Sequence, residues 1–156
     1  MTPKKILVPL DGSRLAEVAL REAFDFGRRG ATVVLLRVVE PKRLPGADPL
    51  ETEVTAVREA EGYLASIAAR ATLAGVPTVE TSVWYGTVAE SIIDAAHVRE
   101  VDLIVMSSHG RSGLGRLVLG SVAETVLRGT TTPILLLRDR ALPVTVPQEM
   151  KEAVHV

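Results

Sequence analysis

Glycine, serine and arginine crowd one stretch, Ser107-Ser108-His109-Gly110-Arg111-Ser112-Gly113-Leu114-Gly115-Arg116-Leu117-Val118-Leu119-Gly120-Ser121, directly after the apolar run Leu103-Ile104-Val105-Met106. A strand that opens into a glycine-rich loop and then a helix presents backbone N–H groups to a phosphate, because glycine permits positive φ and close approach. Arg111 and Arg116 would add positive charge at the same place. The chemistry predicted is anion binding, with a nucleotide as the leading ligand class.

Known phosphate patterns narrow this expectation. A dinucleotide fingerprint needs G-x-G-x-x-G, but Gly113-Leu114-Gly115 is followed by Val118 where the third glycine belongs. A P-loop needs Lys-[Ser/Thr] after its second glycine, whereas Gly110 and Gly115 lead into Arg116-Leu117, and Gly115 and Gly120 into Ser121-Val122. The nucleophile elbow G-x-S-x-G also fails, since Gly110-Arg111-Ser112-Gly113 closes one residue early. What remains is Gly110 paired with Gly120-Ser121 across nine residues. The residues alone leave two readings open: N–H groups and the Ser121 hydroxyl converging on one anion, or glycines that only make turns with Ser121 as a helix cap.

Other chemistry-bearing residues have plain structural explanations. His97 falls near a helix end, where a dipole contact suffices; His155 lies in the tail; His109 has two readings, lining the phosphate site or, preferred on the residues alone, shaping the loop by hydrogen bonding. Trp84 and Tyr85 end an apolar run and are expected to pack. Asp11, in Asp11-Gly12-Ser13 after the first apolar run, fits turn and cap chemistry. No lysine, carboxylate pair or evident general base lies in the loop, so activation of water has no obvious agent.

The elements that must position these residues are legible as an alternation. Five runs, Ile6–Leu10, Thr32–Val39, Thr78–Trp84, Leu103–Met106 and Ile134–Leu137, are short and almost continuously apolar, as parallel strands buried on both faces are. Between them, Ala16, Ala19, Leu20, Ala23 and Phe24 recur at helical spacing after a Ser13 cap. Val54, Val57, Leu64, Ile67 and Ala71 mark a longer helix ending near Gly75-Val76-Pro77. Thr87 with Glu90, and Ser121 with Glu124, are spaced as capping boxes opening a third and a fourth helix. Glu40–Leu50, with Pro41, Pro45, Pro49 and Gly46, reads as a plain connecting loop, with a lid as the alternative. From Asp139 the chain is an appended tail, read either as an arm or edge strand for a partner subunit or as a frayed terminus.

Composition bounds the rest. The 156 residues suit one domain, with 47% hydrophobic and 24% charged residues excluding bulk disorder. Eighteen Lys+Arg against nineteen Asp+Glu leave a net charge of −1, which offers no global attraction for nucleic acid or an anionic membrane. The absence of cysteine excludes disulfides and thiolate metal sites. No apolar run reaches the length of a membrane span, and Ile6-Leu7-Val8 is too short for a signal h-region. A cytoplasmic protein is expected.

Taken together, Lys4-Lys5-Ile6-Leu7-Val8-Pro9-Leu10-Asp11-Gly12-Ser13, Asp102-Leu103-Ile104-Val105-Met106-Ser107-Ser108-His109-Gly110, Gly120-Ser121-Val122-Ala123-Glu124 and Thr132-Pro133-Ile134-Leu135-Leu136 resemble a single-domain universal stress protein. The resemblance covers roughly residues 3–138, implying one domain over 1–138 and a tail over 139–156. It implies an α/β three-layer sandwich, Rossmann-like, with a five-stranded parallel sheet in the order 3-2-1-4-5. The family's ATP-binding branch carries G-x-x-G-x(9)-G-[ST]; Gly110, Gly120 and Ser121 match its last three elements, and Ser107 replaces its first glycine. The resemblance further implies that Asp11 approaches the ribose or adenine and that Val38 lies beside the adenine. The cofactor-binding set expected is therefore Pro9, Asp11, Val38, Met106, Ser107, His109, Gly110, Arg111, Gly120, Ser121 and Val122, with no catalytic or metal-ligating residue. The ligand expected is ATP, with or without Mg2+, and AMP or cyclic AMP are the alternatives. A homodimer through the edge strand 134–137 is implied as well. Three functions compete: a nucleotide-sensing stress regulator, a slow ATPase or self-phosphorylating enzyme, and an interaction module that uses no nucleotide, with protein partners unknown.

Overall fold

In the computed structural model, which describes residues 2–108 and 119–138, the five apolar runs form β1 (Lys5–Pro9), β2 (Thr32–Val39), β3 (Val79–Tyr85), β4 (Leu103–Ser107) and β5 (Ile134–Leu137). They make one sheet in the order β3-β2-β1-β4-β5, all neighbours parallel, with Ile6 opposite Val33 on one side and Leu103 on the other. Parallel neighbours need crossovers, supplied by α1 (Ala19–Arg28, after a 3-10 turn at Ala16–Val18), α2 (Pro49–Leu73), α3 (Val88–Val98) and α4 (Ser121–Gly129).

Side-chain alternation sorts the strands onto two cores. Ile6 and Val8 of β1, Val33 and Leu35 of β2, and Leu103 and Val105 of β4 face α1 and α2, packing with Leu20, Phe24, Leu64, Ile67 and Ala71. Leu7, Val34, Leu36, Ile104 and Met106 face the other way, onto Ile92, Ala95 and Ala96 of α3 and Ala123 and Val126 of α4. Ile6, Leu7, Leu35, Leu36, Leu64, Ile67, Ile92 and Ile104 are all fully buried, each such side chain contributing roughly 1.5–3 kcal/mol of transfer free energy. Glycine sets one contact distance: Gly27 of α1 sits so close to β2 and to the connection between α2 and β3 that a Cβ there would lie 2.6 Å from Val76 Cγ1 and 2.9 Å from Val33 Cγ2.

Three local expectations are corrected. α2 begins at Pro49, inside the segment read as loop, because Asp48 caps it, its carboxylate accepting from Leu50 N–H at 2.9 Å; proline suits a first helical position, whose N–H has no partner in any case. Thr87 does occupy the cap position of α3, but its side chain makes no capping hydrogen bond, so the expected box is absent. In α4 the cap is Gly120, in extended conformation, and Ser121 is the first helical residue. Ser13 Oγ accepts from Ala16 N–H at 3.1 Å in the turn ahead of the 3-10 segment, whereas α1 itself is preceded by Val18, which makes no side-chain capping bond. The tail from residue 139 lies outside the described residues.

Candidate functional site

The winding direction reverses between β1 and β4: β1 is followed by β2 and β3 outward on one side, while β4 and β5 continue on the other. At such a switch point the loops leaving adjacent strands diverge to opposite faces and open a crevice beyond the strands' carboxyl ends. A cavity of about 650 Å³ lies there, within the size range of small-molecule sites.

Strand ends make its floor. β1 contributes Pro9, followed by Leu10 and Asp11; β2 contributes Leu36 through Val39; β4 contributes Met106 and Ser107, followed by Ser108. Asp11 is held by local geometry, its Oδ1 accepting from Ser13 N–H at 2.8 Å, and Gly12 between them takes φ +84°, a conformation that L side chains rarely adopt. One wall is the start of α4. Gly120, Ser121, Val122 and Ala123 all line the cavity. The first intrahelical bond runs from Glu124 N–H to Gly120 C=O at 2.9 Å, so the N–H groups of Ser121, Val122 and Ala123 belong to the turn where a helix has no internal acceptor. Gly120 N–H donates to Ser108 C=O at 2.8 Å, and Ser108 N–H donates to Leu137 C=O at 2.8 Å, which locks the start of α4 to the ends of β4 and β5.

The opposite wall is α2. Thr52, Glu53, Ala56, Glu59, Ala60 and Tyr63 face the cavity at helical spacing, and the same stripe continues as Leu64, Ile67 and Ala71 into the core. Tyr63 stands where cavity gives way to core. Arg37 of β2 lies against its ring, 5.9 Å from guanidinium carbon to ring centroid. Among the described residues, the Tyr63 hydroxyl is a buried polar atom with no hydrogen-bond partner. Burial pushes its pKa up to about 12, helped by the charge of Glu17 and of Asp11 and opposed by Arg37 and Arg70. Glu17 and Arg70 pair at 2.5 Å.

Charge is divided along the cavity. Asp11, Glu40, Glu53 and Glu59, with Arg37 and Lys42, line the end beside β1, β2 and α2, whereas the described lining at β4 and α4 carries no charged side chain. Carboxylates repel an anion, and a helix N-terminus attracts one. Among the described residues no group of three or more His, Cys, Asp or Glu is placed to hold a metal ion.

Of the residues singled out in the sequence, Pro9, Asp11, Val38, Met106, Ser107, Gly120, Ser121 and Val122 are brought together on this one cavity. His109, Gly110 and Arg111 lie outside the described residues. Tyr85, expected only to pack, lines the cavity and is 46% exposed; Trp84 packs against the α3 and α4 side. Arg37 and Tyr63 were missed. Arg37 had a signal, as the one charged residue within the apolar run Thr32–Val39; Tyr63 had none, since it keeps the helical spacing of its neighbours.

Comparison with known proteins agrees with the fold. The universal stress protein family pattern matches residues 2–138. A protein of Staphylococcus aureus strain USA300, named as a universal stress protein, is 31% identical over 148 residues, spanning 92% of this chain and 89% of its own length. Among solved structures, the hypothetical protein MJ0577 superposes with a TM-score of 0.80 at 29% identity, over 90% of this chain and 99% of that one. The universal stress protein UspA from Lactobacillus plantarum does so with a TM-score of 0.75 at 27% identity, over 86% and 97%. Two further universal stress proteins share the fold at 22% identity, over 88% of this chain, one solved in complex with cAMP (98% of that chain) and one, from Archaeoglobus fulgidus, in complex with dAMP (100% of that chain).

Proposed function

The chain belongs to the universal stress protein family, and on that premise we propose that it binds ATP in the crevice between β1 and β4 and acts as a nucleotide-sensing regulator of a stress response in the cytoplasm. The observation that carries the reading is the division of charge along a single cavity: phosphates are favoured at the end whose described lining carries no charged side chain, against Ser107, Gly120, Ser121 and Val122, and the nucleoside at the end holding Pro9, Asp11 and Val38. Met106 lies on the cavity floor next to Ser107. His109, Gly110 and Arg111 complete the phosphate side in this reading. Ser107, where the family pattern has glycine, narrows the approach to phosphate and offers a hydroxyl in exchange. Mg2+ would come with the triphosphate rather than from a preformed protein site. The same fold carries cAMP and dAMP in two of its members, and the reading for this chain stands on its own cavity. The domain over 1–138 pairs as a homodimer through the outer edge of β5, whose four residues are all half-buried in the single chain, with residues 139–156 as an appended tail.

The test is calorimetry with ATP, with and without Mg2+, alongside AMP and cAMP. ATP is expected to bind, and Gly120→Val to abolish that binding, because a branched side chain at this buried position obstructs phosphate. Absence of binding by all three ligands refutes the reading. Phosphate release above that of a heat-inactivated control shows an ATPase instead of a sensor.

A further inference from the structure

We propose that the corner where α2 begins and β3 ends is a docking surface for the C-terminal segment Leu142–Val146 of the same chain. The docking does not rest on the nucleotide reading above.

Apolar surface left in water is concentrated at this corner. Leu50 and Val54 are 66% and 41% exposed, Leu44 in the connection from β2 is 56% exposed, and Tyr85 at the end of β3 is 46% exposed. Leu50 and Val54 lie one turn apart on α2 and, with half-buried Val57 next along the same side, make a stripe about 11 Å long. Arg70, which pairs with Glu17 ahead of α1, falls on the opposite flank of α2. The stripe is therefore turned toward β3, on which α2 packs. Tyr85 shares the α2 face of β3 with Val83 by strand alternation. β3 is also an edge of the sheet, with β2 its one neighbour among the described residues, and an edge offers backbone groups to a further extended segment. An exposed apolar patch beside an open edge marks a place where something docks.

Reach and pattern identify the occupant. The strands are parallel, so β5 ends at Leu137 on the same end of the sheet as the end of β3 and the start of α2. Four inter-strand spacings separate β5 from β3, about 19 Å, which extended chain crosses in about six residues. Leu142 stands five residues beyond Leu137 and Val146 nine, so the chain becomes apolar where it arrives at the corner. In extended form Leu142, Val144 and Val146 share one face over about 13 Å, close to the length of the stripe. Pro143 and Pro147 favour that form for the residues before them. The nearer edge, at β5, has side chains that are already half-buried. A tethered segment is present at roughly millimolar effective concentration, so a patch of this size suffices for it where a separate partner needs a larger surface.

The chain has no cysteine, so disulfide trapping tests the contact in the full-length protein. Val54→Cys is combined in turn with Leu142→Cys, Val144→Cys and Val146→Cys, and closure under mild oxidation is followed by non-reducing electrophoresis, since a disulfide forms only where the two backbones come close. Val98→Cys with the same three partners is the control for a merely tethered tail, because Val98 is 66% exposed and ends α3 at the opposite end of the sheet. At least one Val54 pair is expected to close within the chain on the order of tenfold faster than any Val98 pair. Aspartate at another of the three tail positions is expected to bring that pair down to the control rate. Equal rates at Val54 and Val98 overturn the inference, as does a rate indifferent to the aspartate. Links between chains in place of links within one also overturn it, since the occupant is then a second copy.

Discussion

Replacing Gly27 by alanine tests how closely α1 is seated on the sheet. A Cβ at Gly27 meets Val76 Cγ1 at 2.6 Å, Val33 Cγ2 at 2.9 Å and Val76 Cγ2 at 3.1 Å, all closer than methyl groups pack. Val33 and Val76 are buried, and β-branched side chains have little rotameric freedom to retreat. Overpacking of this kind costs about 1–3 kcal/mol, while alanine recovers at most about 1 kcal/mol of helix propensity. A net loss of about 1–2 kcal/mol is expected, which lowers the thermal midpoint by about 2–4 °C per kcal/mol in a chain of this length. Gly129→Ala is the control. Its Cβ also meets a methyl at 2.6 Å, but that methyl is Ile93 Cδ1, the far end of a half-buried side chain, with the next contact at 3.8 Å. Ile93 can turn aside, so the midpoint is expected to hold or rise. Thermal denaturation followed by circular dichroism measures both, and Val76→Ala in the Gly27→Ala background is expected to recover part of the loss. Equal midpoints for Gly27→Ala and Gly129→Ala refute the reasoning, because side-chain freedom would then not decide the cost.

Stability should also respond to alkali through Tyr63. Its pKa is raised from 10.0 to about 12 by folding, so above pH 10 the unfolded chain sheds a proton that the folded chain keeps; stability falls between about pH 10 and 12 and levels off beyond, and in denaturant melts Tyr63→Phe shows a shallower fall over that window. At the other edge of the molecule, Ile134→Lys or Leu136→Lys in β5 places a charge on the proposed dimer edge. Sedimentation is expected to show monomers, and an unchanged dimer excludes that edge as the interface.

Much of the fold was legible because its sheet is parallel and covered on both faces. Thr32–Val39 and Ile134–Leu137 stand in the structure as the strands the apolar runs predicted. Helix starts were harder. Pro49 looked like loop because proline clusters usually are, and only Asp48 before it distinguishes a helix start. Ser121 looked like a cap by its spacing to Glu124, yet the extended backbone of Gly120 took that place. The floor and one wall of the site were readable from a resemblance to related sequences, since they lie in contiguous motifs at strand ends and at the start of α4. The α2 wall was not. Whether Tyr63 faces ligand or core depends on the phase of a 25-residue helix over β2, which no local pattern reports, and the bearing of Arg37 on that ring follows from strand alternation combined with tertiary packing.

Ser108 accepts from Gly120 with its carbonyl and donates to Leu137 with its N–H, so the chain that departs after Ser108 returns to the same residue. Both bonds join backbone groups, so this closure onto the ends of β4 and β5 does not depend on the identity of the side chains at those positions. The start of α4 is thereby set relative to the strand ends by main chain alone, and side-chain substitutions around it are expected to leave the register of the five strands intact.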